Sequence, residues 1–337
     1  MTKRPVLFGT HISTRPSARE WLDSCLARGL TVDTVRVYAD TMEDFLTFWE
    51  RHEAQTGPEA ATRDDIVAYG HDLASRKPPQ GKKARQRLDE RGLAPATVER
   101  RLRSLHVYYR YLQERGERND NPVETAFIIA ARRGDLAGHT AGMVADEARY
   151  PWLPTDEEWA RLLGVAAQPT PRNAATMLRN QAMLRLAYDA ALRREELINL
   201  RLVDVDTDAR LVTVVANSTT GRVDRQVPIS LATADLIVRY IATDRARAEQ
   251  FFDDTLFLGF DAQNRGARLT PLRWSQILAA LGKRADLPRL TTLTPRTLRL
   301  THLARTGIAR EDLIAFAGHE NPRLVQIYYE LAAASPR

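Results

Sequence analysis

Cysteine is almost absent from this 337-residue chain: Cys25 stands alone, so neither an intramolecular disulfide nor a cysteine-rich zinc centre can form. Lysine is nearly as scarce. Of 49 basic residues only Lys3, Lys77, Lys82, Lys83 and Lys283 are lysines; the rest are arginines, whose planar fork grips phosphate oxygens in pairs. No uncharged apolar run approaches the roughly 18 residues that a membrane span needs. The opening Met1-Thr2-Lys3-Arg4-Pro5 lacks the apolar stretch of a secretory signal. Clustered carboxylates with metal-ligand spacing are also missing, which argues against metal-dependent nuclease chemistry. These absences predict a soluble, intracellular protein with no membrane partner and no metal site.

What is present is a normal apolar fraction of 44%, which excludes wholesale disorder, and a length that suggests two domains. The net charge of +6 is modest, yet the window from Arg76 to Arg118 holds thirteen Arg or Lys against five Asp or Glu. That local excess is an electrostatic footprint for a polyanion. Residues 17–122 read as four amphipathic helices. Ser17 is expected to cap the first, Thr31 the second and Thr62, with Asp65, the third. Pro95 opens the fourth, where Val98, Leu102, Leu105, Tyr109 and Leu112 form one stripe and Arg100, Arg101, Arg103 and Arg110 the other side. From 123 to 150 the periodicity fades into a linker with a short helix near Ile128. Beyond it, Thr155 and Glu158 form a capping box. Leu211, Thr213 and Val215, then Val223, Arg225 and Val227, alternate like a hairpin, and helices are predicted near 173–190, 231–243, 272–285, 295–306, 309–317 and 322–331.

Four clusters in the second half carry chemistry: Leu192-Arg193-Arg194-Glu195-Glu196-Leu197, Thr294-Pro295-Arg296-Thr297-Leu298-Arg299, Gly318-His319, and Tyr328 nine residues after His319. Each has a bland alternative. Arg193 beside two glutamates suits a surface ion pair, His319 a helix cap, and Tyr328 a core position. Their order and spacing together are specific. On these residues the chain resembles the tyrosine recombinase, or phage integrase, family from about residue 16 to Tyr329, as a Xer-like or transposon-type member. Gly29-Leu30-Thr31-Val32-Asp33-Thr34-Val35, Gly92-Leu93-Ala94-Pro95-Ala96-Thr97-Val98 and Asn121-Pro122 carry the resemblance in the first half.

The resemblance implies a mainly α protein, with an N-terminal four-helix SAM-like core-binding domain at 16–122. A linker at 123–150 and a mixed α/β, mostly helical catalytic domain with a small β-hairpin or sheet at 151–337 would follow. It implies cleavage and rejoining of double-stranded DNA through a 3′-phosphotyrosyl link on Tyr328, a nearly energy-neutral exchange that needs no cofactor. Arg193 and Arg299 would stabilise the phosphorane charge without a metal, and His319 would hydrogen-bond the same phosphate. Lys82, Lys83, Arg100, Arg101, Arg103 and Arg110 would hold the duplex. A homotetramer, or a heterotetramer with a related recombinase, on two DNA sites is implied, as is a cytoplasmic, nucleoid-associated protein encoded by a bacterium, phage or mobile element. Two departures stand out. Arg296, expected in the catalytic set, occupies a position where the family usually has histidine; arginine can bind phosphate there but cannot serve as a base near neutral pH. The hairpin turn Ser218-Thr219-Thr220-Gly221-Arg222 lacks the family's lysine, leaving Arg222, Arg225, Lys283 or a water to assist the leaving group. A recombinase-fold DNA-binding protein that has lost cleavage is the alternative reading.

Overall fold

Threonine hydroxyls set two of the helix starts of the amino-terminal half, Thr31 and Thr62. The computed structural model describes residues 9–52, 56–76, 92–133, 151–170, 176–215, 224–248, 254–260, 265–319 and 322–334. Its contacts divide into two units, Met1–Arg149 and Tyr150–Arg337.

The first unit contains α1 (Thr10–Ser13), α2 (Pro16–Ala27), α3 (Val32–Arg51), α4 (Arg63–Ser75), α5 (Pro95–Glu114) and α6 (Thr125–Arg133). The Thr31 side chain accepts from Thr34 N, and Thr62 and Asp65 complete a reciprocal capping box. Ser17 does not cap α2. Pro16 takes the first turn with Arg15 as N-cap, and the Ser17 hydroxyl instead meets Glu59 and, at 2.9 Å, the Tyr108 hydroxyl. The α3 stripe of Val35, Met42, Phe45, Leu46 and Trp49 packs on Val98, Leu102, Leu105, Tyr109 and Leu112 of α5. Gly92 allows α5 to start close to the end of α4. Its φ is +71°, and a Cβ there would lie 1.6 Å from the Ala74 carbonyl oxygen, so any other residue would force the two helices apart. The expected linker is helical at its beginning: Val123, Ile128 and Ala131 are buried in this same core, as is Ile12 before residue 16.

The four α5 arginines do not share one face. Arg100, Arg103 and Arg110 are exposed, Arg103 and Arg110 only in surface pairs with Glu99 and Glu114 one turn away. Arg101 lies about 100° around the helix from Arg100 and turns inward. Its guanidinium pairs with Asp44, which also pairs with Arg76 and accepts from the Tyr69 hydroxyl at 2.7 Å. Burial opposes ionisation of Asp44, but these three donors prevail and hold its carboxyl below the usual range. Arg100 and Arg103 border a groove of about 350 Å³ with Tyr38, His106 and Ile128. Lys82 and Lys83 lie outside the described residues.

The second unit begins at a capping box on Thr155 and Glu158, which opens α7 (Asp156–Ala167). There follow α8 (Met177–Asp189), α9 (Arg194–Asn199), α10 (Leu231–Tyr240), α11 (Ala246–Ala248), α12 (Pro271–Arg284), α13 (Thr294–Arg305), α14 (Arg310–Ala317) and α15 (Gln326–Ala333). A π-helical turn, Ile241–Arg245, joins α10 to α11. The sheet is antiparallel, in the order β1 (Val205–Asp206), β2 (Leu211–Val214), β3 (Arg225–Pro228). Its buried side differs from the predicted alternation: Val212 and Val214 face the core, whereas Val215 is exposed. Pairing decides this. Val212 sits opposite Val227 and Val214 opposite Arg225, and cross-strand partners share a face. Arg225 is thereby aimed inward. Residues 216–223, with the turn and Arg222, lie outside the described residues. Among the described residues no helix is long and apolar enough to cross a membrane.

Candidate active site

Two helices end in the same device, and each delivers a polar side chain immediately afterwards. At the end of α8, Ala191 has φ +44°, and Leu192 N reaches back to Ala187 O at 3.1 Å. At the end of α14, Gly318 has φ +58°, and His319 N reaches Ile314 O at 3.2 Å. Both are left-handed helix stops that satisfy orphan carbonyls. For Ala191 the conformation costs about 1 kcal/mol, and it turns the chain so that Arg193 becomes the N-cap of α9. Gly318 is favoured by its φ, and a Cβ there would lie 2.7 Å from Arg225 Nη1 and push that side chain aside.

Glu196 organises the arginines. Its carboxylate accepts from Arg193 N at 2.8 Å and Arg193 Nη1 at 2.7 Å. Arg225 donates to both of its oxygens, at 3.1 and 2.8 Å, and Arg296 Nη1 lies at 4.0 Å. Burial disfavours the Glu196 charge, but the bonds and field of Arg225 and Arg193 outweigh it and hold the carboxyl at about 2. The arginines then spread outward. Arg193 Nη2 donates to Gly318 O at 2.7 Å, and Arg225 Nε donates to Phe316 O at 3.1 Å.

Arg296 is 2% exposed. Nη1 donates to Ala191 O, while Nη2 lies 2.6 Å from Ala317 O and 3.3 Å from His319 Nε2. Burial, reinforced by Arg193, lowers its pKa to about 10, which still leaves it charged at neutral pH. His319 Nε2 is also 3.3 Å from the Tyr328 hydroxyl. Tyr328 on α15 is 7% exposed. Burial pushes its phenol up, and Arg296 and Arg193 pull in the other direction.

The structure thus brings together Arg193, Arg296, His319 and Tyr328, each named from the sequence. Arg299, one turn after Arg296 on α13, makes no hydrogen bond to them. Its Cζ lies 5.5 Å from the Tyr188 ring centroid and 5.9 Å from that of Phe316, and its Nε is buried with no hydrogen-bond partner. Lys283 is exposed in the last turn of α12 and makes no ion pair or hydrogen bond with this group. Glu196 and Arg225 are the residues whose organising role sequence reasoning missed. The Glu196 signal was its position three after an N-cap, and that of Arg225 was the hairpin register. Among the described residues no group of three or more His, Cys, Asp or Glu could hold a metal ion. Several guanidiniums around one carboxylate leave a net positive site, suited to an anion.

Known proteins share the sequence family and the fold of this chain. The profile of the phage integrase family matches residues 155–335. The tyrosine recombinase XerD of Listeria monocytogenes serovar 1/2a is 24% identical over 306 residues, covering 89% of this chain and 89% of that protein. The tyrosine recombinase XerC of Erythrobacter litoralis is 28% identical over 285 residues, covering 81% and 84%. Among solved structures, the Tn1549 transposon integrase in complex with a circular intermediate DNA has a TM-score of 0.67 at 16% identity, over 93% of this chain and 94% of that one. The XerH site-specific recombinase bound to palindromic difH substrate has a TM-score of 0.64 at 14% identity, over 96% and 84%. Both share the fold.

Proposed function

Because the chain belongs to the phage integrase family, we propose that it is a site-specific DNA recombinase whose Tyr328 attacks a backbone phosphodiester. The attack produces a 3′-phosphotyrosyl link and a free 5′-hydroxyl. One phosphoester replaces another, so the exchange is close to energy-neutral and needs no nucleotide cofactor. The observation that carries this reading is the convergence on one phenol: Tyr328 is 3.3 Å from His319, which is 3.3 Å from Arg296, while Arg193 holds the carbonyl of the residue preceding His319.

Arginine has five N–H donors. Arg193 spends one on Glu196 and one on Gly318 and is 21% exposed in its side chain, which leaves donors for a phosphate. Arg299 contributes an unpartnered buried Nε, a group that a bound anion would satisfy. Together they would stabilise the pentavalent transition state, an effect worth about 10²–10³ in rate per donor. Arg296 is a positioning residue: it is only 2% exposed, and three of its five N–H groups reach Ala191, Ala317 and His319. Two duplex sites present four strands to cleave, so four protomers would each supply one Tyr328, as a homotetramer or with a related recombinase.

The test is covalent trapping. The full chain, incubated with a nicked duplex that it binds, is expected to form an adduct resistant to SDS. Bound DNA with no adduct would leave a DNA-binding protein without cleavage.

The first unit would hold the duplex through Arg100, Arg103 and Arg110, the exposed members of the α5 group. Changing all three to glutamine is expected to flatten the salt dependence of DNA binding by about one unit of log–log slope per lost phosphate contact. Arg101→Gln should leave the slope unchanged and lower stability, because Arg101 answers Asp44. A triple variant with the wild-type slope would remove α5 from the interface.

A further inference from the structure

His319 holds two contacts at one nitrogen, and one of them fixes the direction of the other. Arg296 Nη2, 3.3 Å from His319 Nε2, can only donate. Its guanidinium is locked in place by two carbonyls from different segments, Ala191 O and Ala317 O. A nitrogen that accepts from arginine carries a lone pair, not a proton. The Tyr328 hydroxyl, also at 3.3 Å from Nε2, faces that same lone pair. Resting on the recombinase reading above, we propose that His319 is the base that accepts the Tyr328 proton during cleavage, with Arg296 holding it in the accepting tautomer.

The Tyr328 O–H bond breaks and its proton moves to Nε2 as the Oη–P bond forms. The P–O5′ bond breaks, and the 5′-oxygen keeps the electron pair and takes a proton from solvent water, leaving a hydroxide that the buffer neutralises. The resulting imidazolium adds a cation beside the phosphate as its negative charge peaks, and it returns the proton to Tyr328 when the 5′-hydroxyl, giving its own proton back to solvent, attacks to reseal. Arg296 itself cannot take the proton. Among the described residues, Arg296 from α13 and Tyr328 from α15 contact this imidazole, while Arg193 holds Gly318 O beside it and Glu196, paired with Arg225 from β3, lies 4.0 Å from Arg296.

Single-turnover adduct formation by the full chain distinguishes this role from donation of a hydrogen bond to phosphate. The probe is a nicked duplex carrying a binding site selected from random-sequence DNA. The wild-type rate is expected to rise with pH and then level off once the imidazole is unprotonated. His319→Gln keeps an N–H donor but cannot accept a proton at neutral pH. It should lose that levelling and fall about 10²–10⁴-fold, with melting and DNA binding unchanged. Added imidazole should restore His319→Ala. A Gln variant within threefold of wild type and with the same pH profile would overturn the proposal. So would an Ala variant that folds and binds DNA yet ignores imidazole. A wild-type chain that forms no adduct on DNA it binds would overturn the recombinase reading, and this proposal with it.

Discussion

Tyr328→Phe is expected to abolish covalent adduct formation, a loss on the order of 10⁶-fold for removal of a nucleophile, while Tyr329→Phe retains it. Successive residues on a helix point about 100° apart, and the two phenols have separate duties. Tyr328 faces His319 at 3.3 Å, whereas the Tyr329 hydroxyl donates to Ile308 O at 2.8 Å. Losing that bond should cost about 1 kcal/mol of stability and leave the reacting group in place. Phenylalanine at 328 preserves the ring in a site that is already 93% enclosed (7% exposed), so the fold should survive. The measurement is a denaturing gel of both variants on the trapping substrate, beside a thermal melt. An adduct that persists in Tyr328→Phe and vanishes in Tyr329→Phe would move the nucleophile by one position.

Glu196→Ala should destabilise the second unit by about 3–5 kcal/mol, the cost of stripping a buried charge pair of one partner. The carboxylate is the shared counter-charge of Arg193, Arg225 and Arg296, and without it Arg225, with a side chain 10% exposed, has no anion to answer it. The same residue predicts an acid transition. Its folded pKa of about 2 lies below the unfolded glutamate value of about 4.3. Its contribution is therefore fully present above about pH 4.3 and is lost as pH falls through the folded value. The difference corresponds to roughly 3 kcal/mol. Urea denaturation at neutral pH and between pH 5 and 2 checks both statements. Wild type should weaken over that acid window, and Glu196→Gln should lack this component. A Gln variant with wild-type stability and the wild-type acid profile would mean that Glu196 is not the organiser.

Local features were legible in the sequence because local bonds decide them. The caps on Thr31, Thr62 and Thr155 each need only a hydroxyl and a backbone N–H three residues on. Ser17 failed as a cap because Pro16 takes the first turn and Tyr108, 91 positions away, competes for the hydroxyl. The β2 face was ambiguous in Leu211-Val212-Thr213-Val214-Val215, where both alternations are largely apolar, and only the register with β3 resolves it. Arg101 was grouped with its neighbours by composition, but its partner Asp44 comes from another helix. At the site, spacing identified Arg193, His319 and Tyr328. What spacing could not carry was convergence: Arg225 reaches Glu196 across 29 positions, and Arg296 reaches Ala191 across 105. That long-range closure turns a set of motif residues into a cage around one phenol, and it makes Arg296 a buried brace.

The central claim is that Tyr328 becomes covalently joined to DNA, and the most direct test reads the bond itself. The trapped adduct is digested with protease and nuclease, and the modified peptide is sequenced by mass spectrometry. The account predicts a nucleotide attached through its 3′-phosphate to the Tyr328 oxygen. A nucleotide on Tyr329 or on a serine, or one joined through a 5′-phosphate, would contradict it.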